Sequence, residues 1–212
     1  MFTKTKKKVV VIVAHPDDET LWGGGAILSH PKYDWFVVSL CRGKDSDRSP
    51  RFFNALEALK ANGIMGDLND DPKQNPLNPI TTETAILELL PVKHFDLIIS
   101  HSPKGEYTRH LRHEEIGNAV IRLWDSNKIA ANCLWAFAYE DGNKKYLPRS
   151  IEKAPVIKTL SDQIWERKYQ IITEIYGFDK ESWEARTTPR TEAFWQFWKP
   201  SDAISWQESM KH

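Results

Sequence analysis

Five consecutive β-branched residues, Val9 to Val13 in "KKVVVIVAHPDDETLWGGG", run without a polar interruption into Ala14, a histidine, a proline and three acids. A continuous apolar tract of that length and composition is the pattern of a strand buried on both faces of a parallel sheet. The polar residues after it are then delivered to the carboxyl edge of the sheet, where open α/β folds bind ligands. The tract is too short for a secretory h-region and lacks a small-residue cleavage site. No other apolar stretch approaches the roughly 20 residues of a membrane helix, so a soluble, unprocessed, cytoplasmic protein without a membrane span is expected.

The rest of the chain repeats this strand-then-helix pattern. Thr20 to His30 reads as a helix reached through a glycine-containing turn, Trp35 to Cys41 as a strand, and Arg51 to Gly63 as a helix closed by Asn62-Gly63. Phe95 to His101 is a third strand, "RHEEIGNAVIRLWD" a helix, and Cys133 to Tyr139 another strand. Alternation at these lengths predicts βαβ units in a Rossmann-like, open, mostly parallel sheet with helices on both faces, as a single α/β domain. Asp67 to Pro79, rich in turn formers, reads as a surface loop. From about residue 155 the chain changes character. A helix with Ile164, Lys168, Ile171 and Ile175 on one stripe precedes the aromatic run "TEAFWQFWKP". Phe194, Trp195, Phe197 and Trp198 are expected to cover one side of the sheet, or to form a subunit interface or glycan-binding rim.

Charge narrows the partners. Lys+Arg and Asp+Glu both number 29 in 212 residues, which removes the electrostatic case for nucleic acid or an anionic membrane. Cys41 and Cys133 show no CxxC spacing and suit a reducing compartment. The glycines of "WGGG" do not make GxGxxG, and acids stand where a pyrophosphate would need amides.

The chemistry concentrates in two clusters. In "AHPDDE" a tight turn can aim His15 and Asp18 at one point, an imidazole and a carboxylate suited to zinc or another divalent ion. A catalytic site needs a third protein ligand. His110 and His113 in "YTRHLRHEE", three apart after another strand, supply the best candidates.

"AHPDDETLWGGG" and "GEYTRHLRHEE" together resemble the LmbE-like, or PIG-L, family of zinc-dependent N-acetylglucosaminyl deacetylases, and the resemblance extends over most of the first 140 residues. It implies a Rossmann-like fold, Zn2+ held by His15, Asp18 and His113, Asp17 as general base, and His110 as oxyanion stabiliser and proton donor. The implied substrate is an acetylated amino sugar or its conjugate; a homo-oligomer is possible. Hydrolysis of another amide and metal-dependent sugar binding without catalysis are the competing readings.

The chain departs from the family at two places. Arg112 stands where an aspartate usually orients the catalytic histidine, leaving Glu106 or Asp96 as candidates for that task. Asn54 replaces the acid of the R-x-x-E pattern, while Arg51 remains. Arg51 and Asp70 are expected to contact substrate, Trp22 to stack on a sugar or pack in the interior, and Tyr107 to reach the oxyanion or cap a loop. His30, His94 and His101 are expected to be structural or solvated, and Glu19 has no assigned role.

Overall fold

The computed structural model describes residues 6–210. A seven-stranded sheet carries the fold. Its parallel part consists of β1 (Lys8–Val13), β2 (Asp34–Cys41), β3 (Asn62–Leu68), β5 (Leu97–Ser100) and β7 (Leu134–Phe137). Two strands from the carboxyl third, β10 (Val156–Thr159) and β11 (Thr191–Phe197), extend it antiparallel beyond β7. The order across the sheet is β10-β11-β7-β5-β1-β2-β3. Two small sheets pair β4 (His94–Phe95) with β6 (Ala130–Ala131) and β8 (Tyr139–Glu140) with β9 (Arg149–Ser150).

β1 is central, and every residue from Val9 to Ala14 is buried. Its side chains alternate between two cores. Val9, Val11 and Val13 pack with α1 (Asp18–Ser29), α2 (Arg48–Leu59) and the π-helical turn Ile171–Ile175 that continues α5 (Asp162–Gln170). Val10, Ile12 and Ala14 face α3 (Pro79–Leu89), α4 (Leu111–Asp125) and α7 (Pro200–Ser209). The short α6 (Trp183–Thr187) lies beside the carboxyl edge of the sheet. Strand order moves from β1 to β2 and β3 on one side, then to β5 and β7 on the other. The crevice between the ends of β1 and β5 is therefore the switch point at which such sheets hold ligands.

Several local expectations change. The three glycines do not form a turn but lie inside α1, where a Cβ on Gly25 would come within 2.4 Å of Leu160 and 2.9 Å of the Glu192 carboxyl carbon. The helix is bare at that point so that β11 can approach. The Glu192 carboxylate accepts from the Gly25 and Ala26 amides at 2.7 Å each and from Lys168 Nζ at 2.7 Å. Tyr139 Oη donates to the Trp22 carbonyl at 2.9 Å. Lys168, placed on an apolar stripe by its spacing, is thus a fully buried cation with a buried counter-charge.

The helix expected to close at Asn62-Gly63 ends at Leu59, with Lys60 left-handed at φ 56°. Asn62 and Gly63 begin β3, where a Cβ on Gly63 would lie 2.4 Å from the Val37 carbonyl. The aromatic run does not cover the sheet but enters it as β11, with Phe194 buried and Trp198 exposed. Strand alternation in "TEAFWQF" outweighs the impression of an aromatic cap. The expected loop ends where α3 begins: Asn78 caps the helix by accepting from the Ile80 amide, and Pro79 opens it.

Candidate metal centre and cleft

Backbone geometry at the end of β1 sets the site. Ala14 donates its amide to His101 Nε2 at 2.9 Å and accepts from the Cys41 amide at 2.9 Å, which fixes the residue after β1 between the ends of β5 and β2. The chain then turns within four residues, so that the His15 amide donates to Asp18 Oδ2 at 2.8 Å. Asp17, at φ 131° and ψ −31°, adopts a conformation that L-residues rarely enter. Glu19 helps hold it there: fully buried, it accepts from the Asp17 amide and from Tyr176 Oη. Glu19 therefore has a role that spacing alone did not supply, tying the acid turn to the carboxyl third of the chain.

Three side chains converge. His15 Nδ1 lies 3.3 Å from Asp18 Oδ2, His113 Nε2 lies 3.2 Å from the same oxygen, and the two nitrogens are 3.3 Å apart. Partners on the far side of each ring assign the protons. His113 Nδ1 donates to Glu106 Oε2 at 2.6 Å, and His15 Nε2 faces Asp70 Oδ1 at 3.2 Å, so the inward nitrogens are bare. Trp22 Nε1 donates to the other oxygen of Asp18 at 3.1 Å. Three lone-pair atoms at this separation can be reconciled only by protons or by a cation between them. A tetrahedral ion with nitrogen and oxygen ligands at about 2.0–2.1 Å has ligand atoms about 3.3–3.4 Å apart, which these three match. The carboxylate behind each imidazole is the usual outer support of a metal-binding histidine.

Around this triangle is a cavity of about 430 Å³, with Asp17, Arg42, Arg48, Gln74, Arg109, His110, Tyr107, Trp183 and Glu184 on its walls. Burial and the neighbouring Asp18 charge push the Asp17 carboxyl well above the usual carboxylate range, against the pull of His15 and Arg48, whose Nη1 is 3.6 Å away. His110 begins α4, its ring 4.1 Å from that of His113 and 4.7 Å from that of His15. Burial above all, with the crowding of the His113 and His15 imidazoles, pushes its pKa down to about 3. Its Nδ1 is buried without a hydrogen-bond partner among the described residues, as are Arg48 Nη1 and Gln74 Oε1. The loop before His110 is clamped by Asp141, which accepts from the Thr108 amide at 2.8 Å and from its hydroxyl at 2.5 Å.

Not every predicted residue reaches the cleft. Trp22 is fully buried, with no face for a sugar; it packs against Tyr107 and Tyr139 and braces Asp18. Arg51 is spent on the Tyr176 and Ile175 carbonyls and on Asp47, and it fills the space a Cβ on Gly177 would need. Arg48, one helical turn earlier, lines the cavity instead. Asp70 does line it, but its oxygens are engaged by His15, Arg42 and Gln74. Tyr107 is in place, its ring 5.5 Å from His110 and 4.8 Å from Trp183.

Neither proposed orienter of His110 serves it. Glu106 is committed to His101 and His113, and Asp96 binds the Lys8 amide at the opposite end of the sheet. His101 is not a bystander. With its Nε2 occupied by the Ala14 amide and its Nδ1 on Glu106, it braces both clusters from below. His30 and His94 are structural and exposed respectively, as expected. Trp183 and Glu184, from the carboxyl third, gave no signal in the sequence because only folding brings α6 to this edge.

No family model matches the chain. An uncharacterized protein of Acanthamoeba polyphaga mimivirus is 22% identical over 186 residues, 80% of this chain and 79% of that protein. Among solved structures, the N,N'-diacetylchitobiose deacetylase of Pyrococcus horikoshii superposes with a TM-score of 0.68 at 17% identity, covering 94% of this chain and 85% of that one. An antimicrobial pseudoaglycone deacetylase gives 0.60 at 14% identity, over 92% and 98% of the two chains. The 4-carboxy-2-hydroxymuconate hydratase of Pseudomonas putida gives 0.60 at 18%, over 89% and 95%. The Rossmann-like α/β fold expected from the alternation of strands and helices is the fold these structures share with the chain. Among the described residues, no helix is long and apolar enough to cross a membrane.

Proposed function

We propose that the chain is a zinc-dependent deacetylase that removes the acetyl group from an N-acetylated amino sugar or its conjugate. The observation that carries this reading is the triangle of His15 Nδ1, Asp18 Oδ2 and His113 Nε2, which would hold the ion. A divalent ion bound there would supply Lewis acidity, lowering the pKa of a water and polarising an amide carbonyl.

The chain's own residues supply the proton transfers. Asp17, adjacent in sequence to Asp18 and on the cavity wall, takes a proton from the attacking water and returns it to the leaving amine, so that amide and water become acetate and free amine. His110 has no carboxylate beside it and stays neutral, so its part is that of a hydrogen-bond donor to the oxyanion rather than an imidazolium acid. Two polar side chains on the cavity wall suit a polyhydroxylated substrate. Gln74, whose Nε2 donates to Asp70, and Arg48, beside Asp17, both line the cavity. Trp183 and Tyr107 present rings at the same wall, as sugar faces require.

The fold is also that of a hydratase, so the assay must follow products. Zinc-loaded protein is incubated with N-acetylglucosamine, N,N'-diacetylchitobiose and non-sugar N-acetyl amides, and acetate and free amine are quantified. Release from the sugars, lost in Asp17→Asn and strongly reduced in His110→Ala with about one zinc still bound per chain, is expected. Release from non-sugar amides alone, or full activity in both variants, overturns the reading.

A further inference from the structure

The residue at which the chain departs from its resembled family does something else here. Arg112 is fully buried at the start of α4, and its guanidinium reaches out of the helix to a segment some forty residues earlier. Nε donates to the Asn69 carbonyl at 2.6 Å and Nη2 to the Asn75 carbonyl at 2.9 Å. Nη1 donates to Glu115 Oε2, and the other oxygen of Glu115 accepts from the Leu77 amide at 2.7 Å. The segment from Asn69 to Leu77 is thus pinned at three main-chain points by two neighbours of His113. A planar fork with five donors is suited to gripping two carbonyls and a carboxylate at once; a lysine ammonium is not.

Between the pins lies Asp70. Its Oδ1 is 3.2 Å from His15 Nε2, and its other contacts, Arg42 and Gln74, keep the carboxylate aimed at that ring. We infer that Arg112 is a positioning residue: it straps the Asn69–Leu77 segment to α4 and so holds Asp70 against the outer nitrogen of His15. The metal triangle then has one carboxylate behind each imidazole, Glu106 behind His113 and Asp70 behind His15. The second of these depends on a residue that touches neither the ring nor the cleft. The same strap presents Gln74 to the cavity. The geometry gives Arg112 a task unlike orienting a catalytic histidine, because its side chain points to the loop and makes no contact with His110.

This inference rests on the metal site proposed above, and zinc affinity tests it without any need for turnover. Zinc dissociation constants are measured by chelator competition for the wild type, Arg112→Met, Asp70→Asn and the double variant, with circular dichroism as a check of folding. Loss of an outer carboxylate partner typically weakens a metal site about 10–100-fold, so each single variant should bind zinc at least about 10-fold more weakly. The double variant should match Asp70→Asn within about twofold, because Arg112 acts through Asp70. Trypsin should also cut after the exposed Lys73 faster in Arg112→Met than in the wild type. If Arg112→Met does not fold, Glu115→Gln, which keeps shape and removes the charge gripping Arg112, should weaken zinc in the same direction. Wild-type affinity in a folded Arg112→Met, or in Glu115→Gln where that variant stands in for it, overturns the inference; so do effects that multiply in the double variant. A wild-type chain that binds no divalent ion overturns instead the proposed function on which it rests.

Discussion

Asp17 offers the sharpest test of whether the site is strained for function. Its φ of 131° lies where a Cβ is sterically unwelcome, and the turn holds it there through the Asp17 amide on Glu19 and the Asp17 carbonyl, which accepts from Thr20 and Leu21 at 3.0 and 2.8 Å. A non-glycine residue in such a region costs about 1–3 kcal/mol. Replacing Asp17 by glycine and by alanine removes the carboxylate equally, so the contacts with Arg48 and Asp18 cancel between the two variants. Glycine is ordinarily less stable than alanine by about 0.5–1 kcal/mol because the unfolded chain is more flexible. Here relief of strain should outweigh that term and leave Asp17→Gly more stable than Asp17→Ala by about 1–2 kcal/mol. For a chain of this size the difference is about 2–8 °C in Tm. Scanning calorimetry of both variants, with acetate release from N-acetylated sugars alongside, is the assay. Both should be inactive, and Asp17→Gly should melt higher. An alanine variant as stable as the glycine variant would refute the claim that strain is stored at this position.

The remaining predictions concern metal, packing and pH. Zinc at about 100 times its dissociation constant should stabilise the fold by about 2.7 kcal/mol, raising Tm by about 5–10 °C, and His113→Ala should abolish the shift in a thermal melt. Glu192→Ala leaves Lys168 buried with only the Pro189 carbonyl near its ammonium, at 3.4 Å, and should cost about 3–5 kcal/mol in denaturant unfolding. Burial alone would raise the pKa of Asp141, but hydrogen bonds from the Thr108 hydroxyl and amide outweigh it and leave the group lowered. A depressed carboxylate stabilises the fold above its unfolded value near 3.9, and that contribution is lost as pH falls through the folded value. The Tm of the wild type should therefore fall more steeply below about pH 4 than that of Asp141→Asn; parallel curves would rule the contribution out.

The local sequence determined a good deal. Continuous β-branching from Val9 to Val13 placed β1 in the middle of a parallel sheet, and the residues just after a central strand must stand at the sheet's carboxyl edge. His15 and Asp18 needed only a tight turn to meet, and His113 only one turn of helix beyond His110, so these positions were legible from spacing. Contacts made by long-range packing were not. Arg48 and Arg51 sit one helical turn apart, and only the approach of the π-helical turn shows that Arg51 is consumed there while Arg48 faces the cleft. The three glycines read as a turn because the sequence does not reveal that a buried glutamate from β11 must come against that helix. His101 looked like one histidine among seven until β5 set it under Ala14, and Trp183 and Glu184 reach the cleft from the far end of the chain. Periodicity and turn chemistry are local, and they fix elements and the edge where chemistry gathers. Which carboxylate stands behind which imidazole is decided by elements distant in sequence, because a buried charge must find its partner wherever folding brings one within hydrogen-bond reach.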